Sequence, residues 1–295
     1  MPSKPEMLVE GLALGEGPTW CDDGTLVVTA VAEGALYRIW PEERRKEKIA
    51  DTAGGANSSA LASDGGFLVT QNGGIDFNAL PGDLFKTAGY PPVRPVSPGL
   101  QRVLPSGEVV RIVSDMQAPN DLTIAPDGTV YFTDPRPFFK TAGPASRIMA
   151  MAPDGSVRTI LDGLDFCNGI ARERDGNLIA TEVNGLIRVS PDGKMEWIIK
   201  SVSEKHATDG LALDADGRIY MAAGGDHGVR VMEEGREVDF LPIEGPGMST
   251  NLCFGGADGR TLFLTDGLPG RVWMWRDMPT PGLPLCKWPV PKAPA

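Results

Sequence analysis

The sequence predicts an all-β protein, a six-bladed β-propeller with four antiparallel strands in each blade. Three observations lead to this fold class. The 295 residues include 37 Gly and 26 Pro, a proportion typical of a chain with many turns. A hairpin motif recurs six times at a spacing of about 42 residues, which is the length of one four-stranded blade. No stretch of amphipathic helical periodicity competes with this pattern.

Each motif is a glycine-containing turn followed by an alternating run of β-branched and aromatic residues. The six motifs read CDDGTLVVT, SDGGFLVT, PDGTVYFTD, RDGNLIATE, ADGRIYMAA and ADGRTLFLTD. Their turn glycines, 41, 63, 48, 41 and 42 residues apart, are Gly24, Gly65, Gly128, Gly176, Gly217 and Gly259. Further glycine turns lie between them, so each unit holds two hairpins and therefore four strands. We expect a single propeller domain over residues 1–295.

The interval of 63 residues carries about 20 extra residues, which fall in the stretch 72–103 after the second strand of its blade. We expect this insertion to form a lid over one face of the propeller, and the alternative is a surface loop that covers an outer edge. At the chain ends, residues 7–14 are expected to pair with residues 271–276 and so close the ring of blades. The proline-rich tail from Pro279 either adds a short strand or wraps the surface.

A polar ring is predicted from the residues that stand eight positions before each turn glycine. All six are Asp, Glu or Asn: Glu16, Asn57, Asn120, Asn168, Asp209 and Asn251. This offset corresponds to the start of the innermost strand, so the six side chains should converge on the central axis at one mouth of the channel. Asp121 follows Asn120 directly and is expected to point the other way, as support for the ring.

A ring of this composition is expected to hold a cation. Carboxylates packed on one axis are costly without a cation, and Glu16 and Asp209 together neutralise one dication. Strand-end Asx residues also bond to nearby backbone amides, which explains one or two of the six but not the whole set. Because the ligands are all oxygens, we expect Ca²⁺, with Mg²⁺, Mn²⁺ and Zn²⁺ as alternatives.

Five segments of the sequence resemble the regucalcin/gluconolactonase family, which includes the diisopropyl fluorophosphatase group. They are LGEGPTW at 14–20, APND at 118–121, CNGIA at 167–171, DGLALDADGRIY at 209–220 and NLCFGGADGRTLFLTD at 251–266. The resemblance implies a six-bladed propeller with one divalent cation, bound by Glu16, Asn168 and Asp209. It also implies that Asn120 either joins these ligands or contacts the substrate.

The function implied by the resemblance is metal-dependent hydrolysis of a lactone, with Asp209 as both ligand and general base. One position departs from the family pattern, because Ala118 stands where its sugar lactonases often place a substrate-binding Arg. We therefore expect a lactone other than a typical sugar aldonolactone. The insertion, with Phe77, Phe85 and Tyr90, would suit a less polar substrate.

A second set of polar residues stands six to ten positions beyond the turn glycines, where the chain returns to the same mouth. Within it, Asp134 or Glu182 could replace Asp209 as general base. His227 is a candidate proton donor to the leaving alkoxide, and the alternative is a partly exposed loop residue. From the two sets together, the expected substrate contacts are Asn57, Asn120, Asp134, Glu182 and His227.

Two other functions stay open: hydrolysis of a phosphotriester or fluorophosphate at the same cation, and calcium or ligand binding without catalysis. The balance of 28 Lys and Arg against 39 Asp and Glu gives a net charge of −11, which disfavours nucleic acid and anionic membranes as partners. No apolar run suits a membrane span or a signal peptide, so the expected location is the cytoplasm. The expected partner is a small lactone or ester, and the sequence does not specify an oligomeric state.

Overall fold

The chain forms the predicted six-bladed β-propeller, and every blade is a four-stranded antiparallel sheet. The computed structural model describes residues 2–80, 85–137, 143–203 and 208–290. Within these ranges the helical elements are two short 3₁₀ helices, Phe77–Ala79 and Lys86–Ala88. None of the helices in the described ranges is long and apolar enough to cross a membrane.

In each blade the strands follow one another outward from the central channel. Blade 1 consists of β2 Gly15–Trp20, β3 Leu26–Ala30, β4 Ala35–Trp40 and β5 Arg45–Asp51. Blade 2 consists of β6 Ala56–Leu61, β7 Phe67–Gln71, β8 Gly99–Val103 and β9 Val109–Val113. Blade 3 consists of β10 Leu122–Ile124, β11 Val130–Asp134, β12 Ser146–Met151 and β13 Val157–Leu164. Blade 4 consists of β14 Cys167–Arg172, β15 Leu178–Glu182, β16 Gly185–Val189 and β17 Met195–Ile199. Blade 5 consists of β18 Leu211–Leu213, β19 Ile219–Ala222, β20 Gly228–Glu233 and β21 Arg236–Pro242. Blade 6 consists of β22 Met248–Gly255, β23 Thr261–Leu268, β24 Arg271–Trp275 and the N-terminal strand β1 Glu6–Glu10.

The turn glycines explain why the chain reverses where the motif predicts. All six have positive φ, from +71° at Gly259 to +102° at Gly176. A residue with a Cβ is strained in that region, whereas glycine lets the hairpin close with the twist of its strands. The strand after each turn is almost completely buried, as in β3 and β15, because neighbouring blades cover both of its faces.

The N-terminal strand completes the last blade, as predicted. β1 pairs with β24, which joins the two ends of the chain and covers an open sheet edge. The tail then crosses the mouth at which the inner strands end, which we call the lower mouth. There Gly282 bridges to Asp214 of blade 5, and the buried Trp288 bridges to Ala62 of blade 2.

The insertion lies at the opposite, upper mouth, where the inner strands begin. Residues 72–98, called the inserted segment below, join β7 to β8, and the last five residues of the predicted stretch form β8 itself. Phe77 packs against Leu14 of blade 1. The hydroxyl of Tyr90 donates a hydrogen bond of 3.1 Å to the carbonyl of Gly267 in blade 6. The inserted segment therefore reaches from blade 2 across blade 1 to blade 6.

Candidate metal centre and cavity

The six ring residues occupy equivalent places at the upper ends of the innermost strands. They are Glu16, Asn57 and Asn168 at the second residue of a strand, Asn120 and Asp209 two residues before a strand, and Asn251 at the fourth residue of a strand. Five of them are buried, and Asp209 is partly exposed to a cavity. The offset of eight residues in the sequence thus corresponds to one structural position in every blade.

Glycine follows several ring residues because the inner strands approach one another closely there. A Cβ on Gly17, which has a φ of +39°, would lie 2.4 Å from the Cα of Ser58 in the next blade. A Cβ on Gly210 would lie 2.1 Å from the Oδ1 of Asn251. Either side chain would push the neighbouring inner strand away from the axis, so glycine at these positions keeps the ring narrow.

Buried threonines on the second strands fix the backbone of the ring. The hydroxyl of Thr29 donates to the carbonyl of Asn57 at 2.5 Å, and that of Thr133 donates to the carbonyl of Asn168 at 2.5 Å. Each of these bonds joins one blade to the ring position of the next blade. These residues were missed in the sequence, although a signal is present there. In five blades the second strand carries a threonine: Thr29, Thr70, Thr133, Thr181 and Thr265.

Four buried oxygen atoms at the ring have no hydrogen-bond partner in the part of the chain that the structure describes. They are the Oδ1 atoms of Asn57, Asn120, Asn168 and Asp209. An unpaired buried polar atom costs about 1–3 kcal/mol, so four at one mouth indicate a ligand from outside the chain. Amide and carboxylate oxygens are the ligands that hard cations such as Ca²⁺ prefer. The donor set therefore fits a divalent cation.

Amide oxygens are an essential part of this donor set. Among the described residues, no group of three or more His, Cys, Asp or Glu side chains is arranged to hold a metal ion. The ring instead combines two carboxylates with neutral amides, which add oxygen ligands without adding charge. Such a mixture suits Ca²⁺, whose coordination is large and tolerant of irregular geometry.

Electrostatic repulsion in the channel is a second reason for a cation. Burial, together with the nearby charge of Asp121, raises the pKa of Glu16 to about 8. Burial likewise raises the pKa of Asp121 to about 7, against hydrogen bonds from Asn251 and Ser58. Burial also holds the pKa of Asp209 well above its usual range, with the charges of Glu16 and Asp121 adding to it. A divalent cation at the ring would relieve this repulsion.

Asp121 points into the channel, so the expectation that it turns away from the ring is wrong. The Nδ2 of Asn251 donates to both of its carboxylate oxygens, at 2.8 and 3.0 Å. The Oδ1 of Asn251 accepts from the backbone N–H of Leu252 at 2.8 Å. Asp121 and Asn251 both line a cavity of about 160 Å³ that the tail closes at the lower mouth. Asn251 therefore belongs to the ring by position and links it to this lower level, because its side chain acts on both Glu16 and Asp121.

Two cavities reach the ring from the upper mouth. The larger, of about 1040 Å³, is lined by Asn168 and Asp209 and by residues 88–91 of the inserted segment. The smaller, of about 390 Å³, is lined by Asn57 and Asn120 and by another part of that segment. The structure thus distributes four ring residues over two adjoining cavities, and the inserted segment covers both.

Asp134 and Glu182 hold loops rather than line these two cavities. Asp134 is fully buried and accepts hydrogen bonds from the backbone N–H groups of Gln117 and Ala118, both at 2.9 Å. Glu182 accepts one from the N–H of Asp165 at 2.6 Å. Each carboxylate therefore fixes the loop that leads into an inner strand and its ring residue. Substrate contact by these two residues stays a prediction.

His227 lies directly behind the wall of the larger cavity. Its Nδ1 is 2.7 Å from the carbonyl oxygen of Gly245, and its Nε2 is 3.2 Å from Oδ2 of Asp266. The cavity residue Gly247 covers it, and a Cβ there would lie 2.1 Å from the Nε2. Both ring nitrogens are thus engaged, and the predicted role as proton donor stays untested. The other histidine, His206, lies outside the described residues.

Comparisons with known proteins identify relatives both in sequence and in structure. The chain is 23% identical over 299 aligned residues to the gluconolactonase of Zymomonas mobilis, covering 88% of this chain and 78% of that protein. It is 26% identical over 264 residues to the pentonolactonase XacC of Haloferax volcanii, covering 85% and 81%. The crystal structure of the calcium-binding protein regucalcin from Agrobacterium tumefaciens superposes with a TM-score of 0.77 at 20% identity, covering 99% of this chain and 98% of that one.

The family assignment rests on the larger part of the sequence. Residues 14–267 match the SMP-30/Gluconolactonase/LRE-like region. This match contains all six ring residues and the inner strands that carry them. The chain therefore belongs to the SMP-30/gluconolactonase/LRE-like family.

Proposed function

We propose that this protein is a divalent-cation-dependent hydrolase that opens a lactone at the upper mouth, with Ca²⁺ as the cation. The observation that carries this proposal is the set of four unpartnered buried oxygens at the ring, next to a large cavity. The relatives named gluconolactonase and pentonolactonase support the reaction class. The relative described as a calcium-binding protein supports the choice of cation.

In this proposal, Glu16, Asn120, Asn168 and Asp209 would hold the cation through carboxylate and amide oxygens. The bound cation supplies Lewis-acid polarisation of the lactone carbonyl. Asp209 accepts the proton of the attacking water, because it is the ring residue that is partly exposed to the larger cavity. The water oxygen bonds to the carbonyl carbon, the ring C–O bond breaks, and the proton passes to the departing alkoxide. Asn57 is placed to orient the substrate from the smaller cavity.

The substrate that fits this site best is a lactone with fewer hydroxyl groups than a sugar aldonolactone. Ala118 supplies no cation beside Asn120, and it lines the smaller cavity together with that residue. The larger cavity has an apolar wall that includes Tyr90, Phe166 and Met248. A polyhydroxylated sugar would leave hydroxyl groups against this wall without partners, at about 1–3 kcal/mol for each.

We further propose that the inserted segment is the lid of this site. Its residues 88–91 line the larger cavity. Tyr90 ties it to blade 6, and Phe77 packs against blade 1. Closure of such a segment excludes water from the cavity and strengthens every charged interaction within it.

We expect the protein to act on a small-molecule substrate in the cytoplasm. Cys21, Cys167 and Cys253 are buried thiols, and Cys286 is partly buried and also free. Reduced cysteines are usual in the cytoplasm, which supports this location.

The direct test is a hydrolysis screen with a pH indicator on the purified protein. The panel contains sugar lactones, aliphatic and aromatic lactones and one fluorophosphate, each with and without a chelator. We expect turnover of an aliphatic or aromatic lactone that the chelator abolishes and added Ca²⁺ restores. Turnover of the fluorophosphate alone would replace the lactone by a phosphorus ester. A protein that binds Ca²⁺ but hydrolyses nothing would be a binding propeller, and the proposal would be wrong.

A further inference from the structure

A single cationic side chain lines the larger cavity, counting the described residues only. It is Arg271, the first residue of β24, and the other charged lining residue is Asp209 of the ring. β24 is the third strand of blade 6, two strand spacings or about 10 Å outward from the innermost strand. The cation therefore lies at the side of the cavity away from the channel axis.

The guanidinium of Arg271 is held in place by three contacts. Its Nε donates to Oδ2 of Asp266 at 3.0 Å, and its Nη2 forms an ion pair with the same oxygen at 2.7 Å. The Nη2 also donates to the carbonyl of Pro246 at 3.0 Å. The group lies over the ring of Trp273, with 5.1 Å from Cζ to the ring centroid. Its Nη1 has no hydrogen-bond partner among the described residues, so a rigid cation keeps the two N–H groups of that nitrogen free.

Asp266, the carboxylate paired with Arg271, has other partners as well. That carboxylate also faces the Nε2 of His227 and accepts from the backbone N–H of Met248 and the indole N–H of Trp273. Although Asp266 is buried, hydrogen bonds led by the one from His227 hold its pKa below the usual value. One carboxylate is thus shared by several donors, and Arg271 is the cationic group at this wall of the cavity.

Blade 3 contains a matched ion pair that lacks this environment. Asp134 and Arg147 stand opposite each other in the register of β11 and β12, as Asp266 and Arg271 do in β23 and β24. Arg147 bonds to Oδ2 of Asp134 through its Nε and Nη2, both at 2.8 Å. Among the described residues no histidine bonds to Asp134, burial raises the pKa of its carboxyl, and Arg147 lines neither upper cavity. The same Asp–Arg pair thus occurs in two blades, and of the two arginines Arg271 is the one that lines an upper cavity.

We propose that Arg271 binds a carboxylate carried by the substrate, so that the substrates of this protein are lactones with an anionic side chain. Arginine is suited to this task because the free N–H groups of its Nη1 and its charge both select an anion. The separation between β24 and the ring requires that the carboxylate end a side chain and not lie next to the lactone carbonyl. This inference rests on the proposed lactone hydrolysis and adds the class of substrate.

The kinetic test uses two lactones that differ in one group. Both carry the same aliphatic side chain, which ends in a carboxylate in one and in a neutral methyl amide in the other. We expect Arg271→Gln to raise the KM for the carboxylate by about tenfold or more and to change kcat by less than about threefold. The KM for the amide should stay within about twofold. Arg147→Gln removes the corresponding partner of the buried Asp134 in blade 3, and it should change neither KM.

Two results would overturn the role of Arg271. Equal increases in both KM values would mean that the arginine only supports the cavity wall. An unchanged KM for the carboxylate would mean that it does not bind the substrate at all.

A binding measurement separates this inference from the proposed hydrolysis. Calorimetry on the Ca²⁺-loaded protein would compare 4-phenylbutyrate with the neutral 4-phenylbutyramide, and this needs no turnover. We expect the carboxylate to bind more tightly to the unsubstituted protein and to Arg147→Gln, and to lose that advantage in Arg271→Gln. If the advantage persists in Arg271→Gln, the anion binds elsewhere and the inference is wrong, whatever the hydrolysis screen shows.

Discussion

The upper and lower levels of the central channel contain similar residues in different states. At the upper level, Asn120, Asn168 and Asp209 each keep an oxygen without a partner. At the lower level, Asp121 and Asn251 use each other, and the Asn251 oxygen accepts a further bond. Asn120 and Asp121 are adjacent in the chain, so residue type and proximity to the axis do not distinguish a ligand from a structural group. What distinguishes a ligand from a structural group here is a buried oxygen atom without a hydrogen-bond partner among the described residues.

The largest expected effect comes from Asp209→Asn at the upper level. Loss of the general base should lower kcat by about 10²–10⁴-fold. The fold should persist, because the substitution removes one of three carboxylates that repel one another in the channel. The measurement is kcat on the lactone found in the screen, with Tm recorded for the same samples.

Asp121→Asn is the control for Asp209→Asn, since it removes a carboxylate from the lower level. It should lower kcat by less than about tenfold, because its oxygens already accept hydrogen bonds from Asn251. Equal losses in the two variants would mean that the two levels act as one site, and the comparison would fail.

The next effect compares two asparagines at the same ring offset. Asn120→Ala removes an unpaired oxygen and should raise the Kd for Ca²⁺ by about tenfold or more, with little change in stability. Asn251→Ala removes the partner of Asp121 and should instead lower the free energy of unfolding by about 1–3 kcal/mol. Calcium titration by calorimetry and urea denaturation measure both quantities on both variants. The reverse pattern would contradict the assignment of levels.

The stability of the calcium-free protein should decrease as the pH rises. Burial raises the pKa of Glu16 to about 8 and that of Asp121 to about 7, above the values of an unfolded chain. Between about pH 4 and pH 8 the folded protein therefore holds protons that the unfolded chain has released, and its stability falls through this window. Tm measured with a chelator should be several degrees lower at pH 8.5 than at pH 5.5.

Added Ca²⁺ should flatten or reverse this dependence on pH. The cation binds ionised carboxylates, so its affinity and the stabilisation it gives both rise with pH. Glu16→Gln should remove part of the slope of the calcium-free protein and should weaken the response to Ca²⁺. A calcium-free Tm that rises between pH 5.5 and pH 8.5 would mean that the channel carboxylates are ionised without a cation.

The features predicted correctly from the sequence are those with a local signal. Glycine turns set the period of the blades, and the fixed distance from each turn placed six polar residues at equivalent points. The orientation of Asp121 could not be predicted in this way. β10 begins only at Leu122, so the alternation of side chains within a strand does not apply one residue earlier.

The features that could not be predicted depend on contacts between distant segments. Arg271 enters the cavity wall because Asp266, Pro246 and Trp273 hold it there, and no periodic pattern relates these residues. His227 has a φ of +56°, and its place behind Gly247 follows from that local backbone and not from its distance to a turn. Asp134 resembles a site residue by its offset, but backbone N–H groups of its own blade occupy it.

The smallest expected effect concerns the inserted segment, which covers the upper mouth. The lower mouth is covered by the C-terminal tail instead. Tyr90→Phe removes the hydrogen bond from the inserted segment to Gly267, worth about 0.5–1.5 kcal/mol. KM should rise by about two- to tenfold, the Kd for Ca²⁺ should not change, and proteolysis within residues 72–98 should become faster.

Tyr37→Phe is the control for this substitution. It removes the hydrogen bond that the Tyr37 hydroxyl donates to Glu33 in blade 1, and neither of these residues lines an upper cavity. If Tyr90→Phe behaves like Tyr37→Phe in both KM and proteolysis, the tyrosine does not hold the segment closed. The lower mouth would then be the better covered of the two, since Gly282, Leu283 and Trp288 of the tail are bonded to its rim through backbone groups that no side-chain substitution removes.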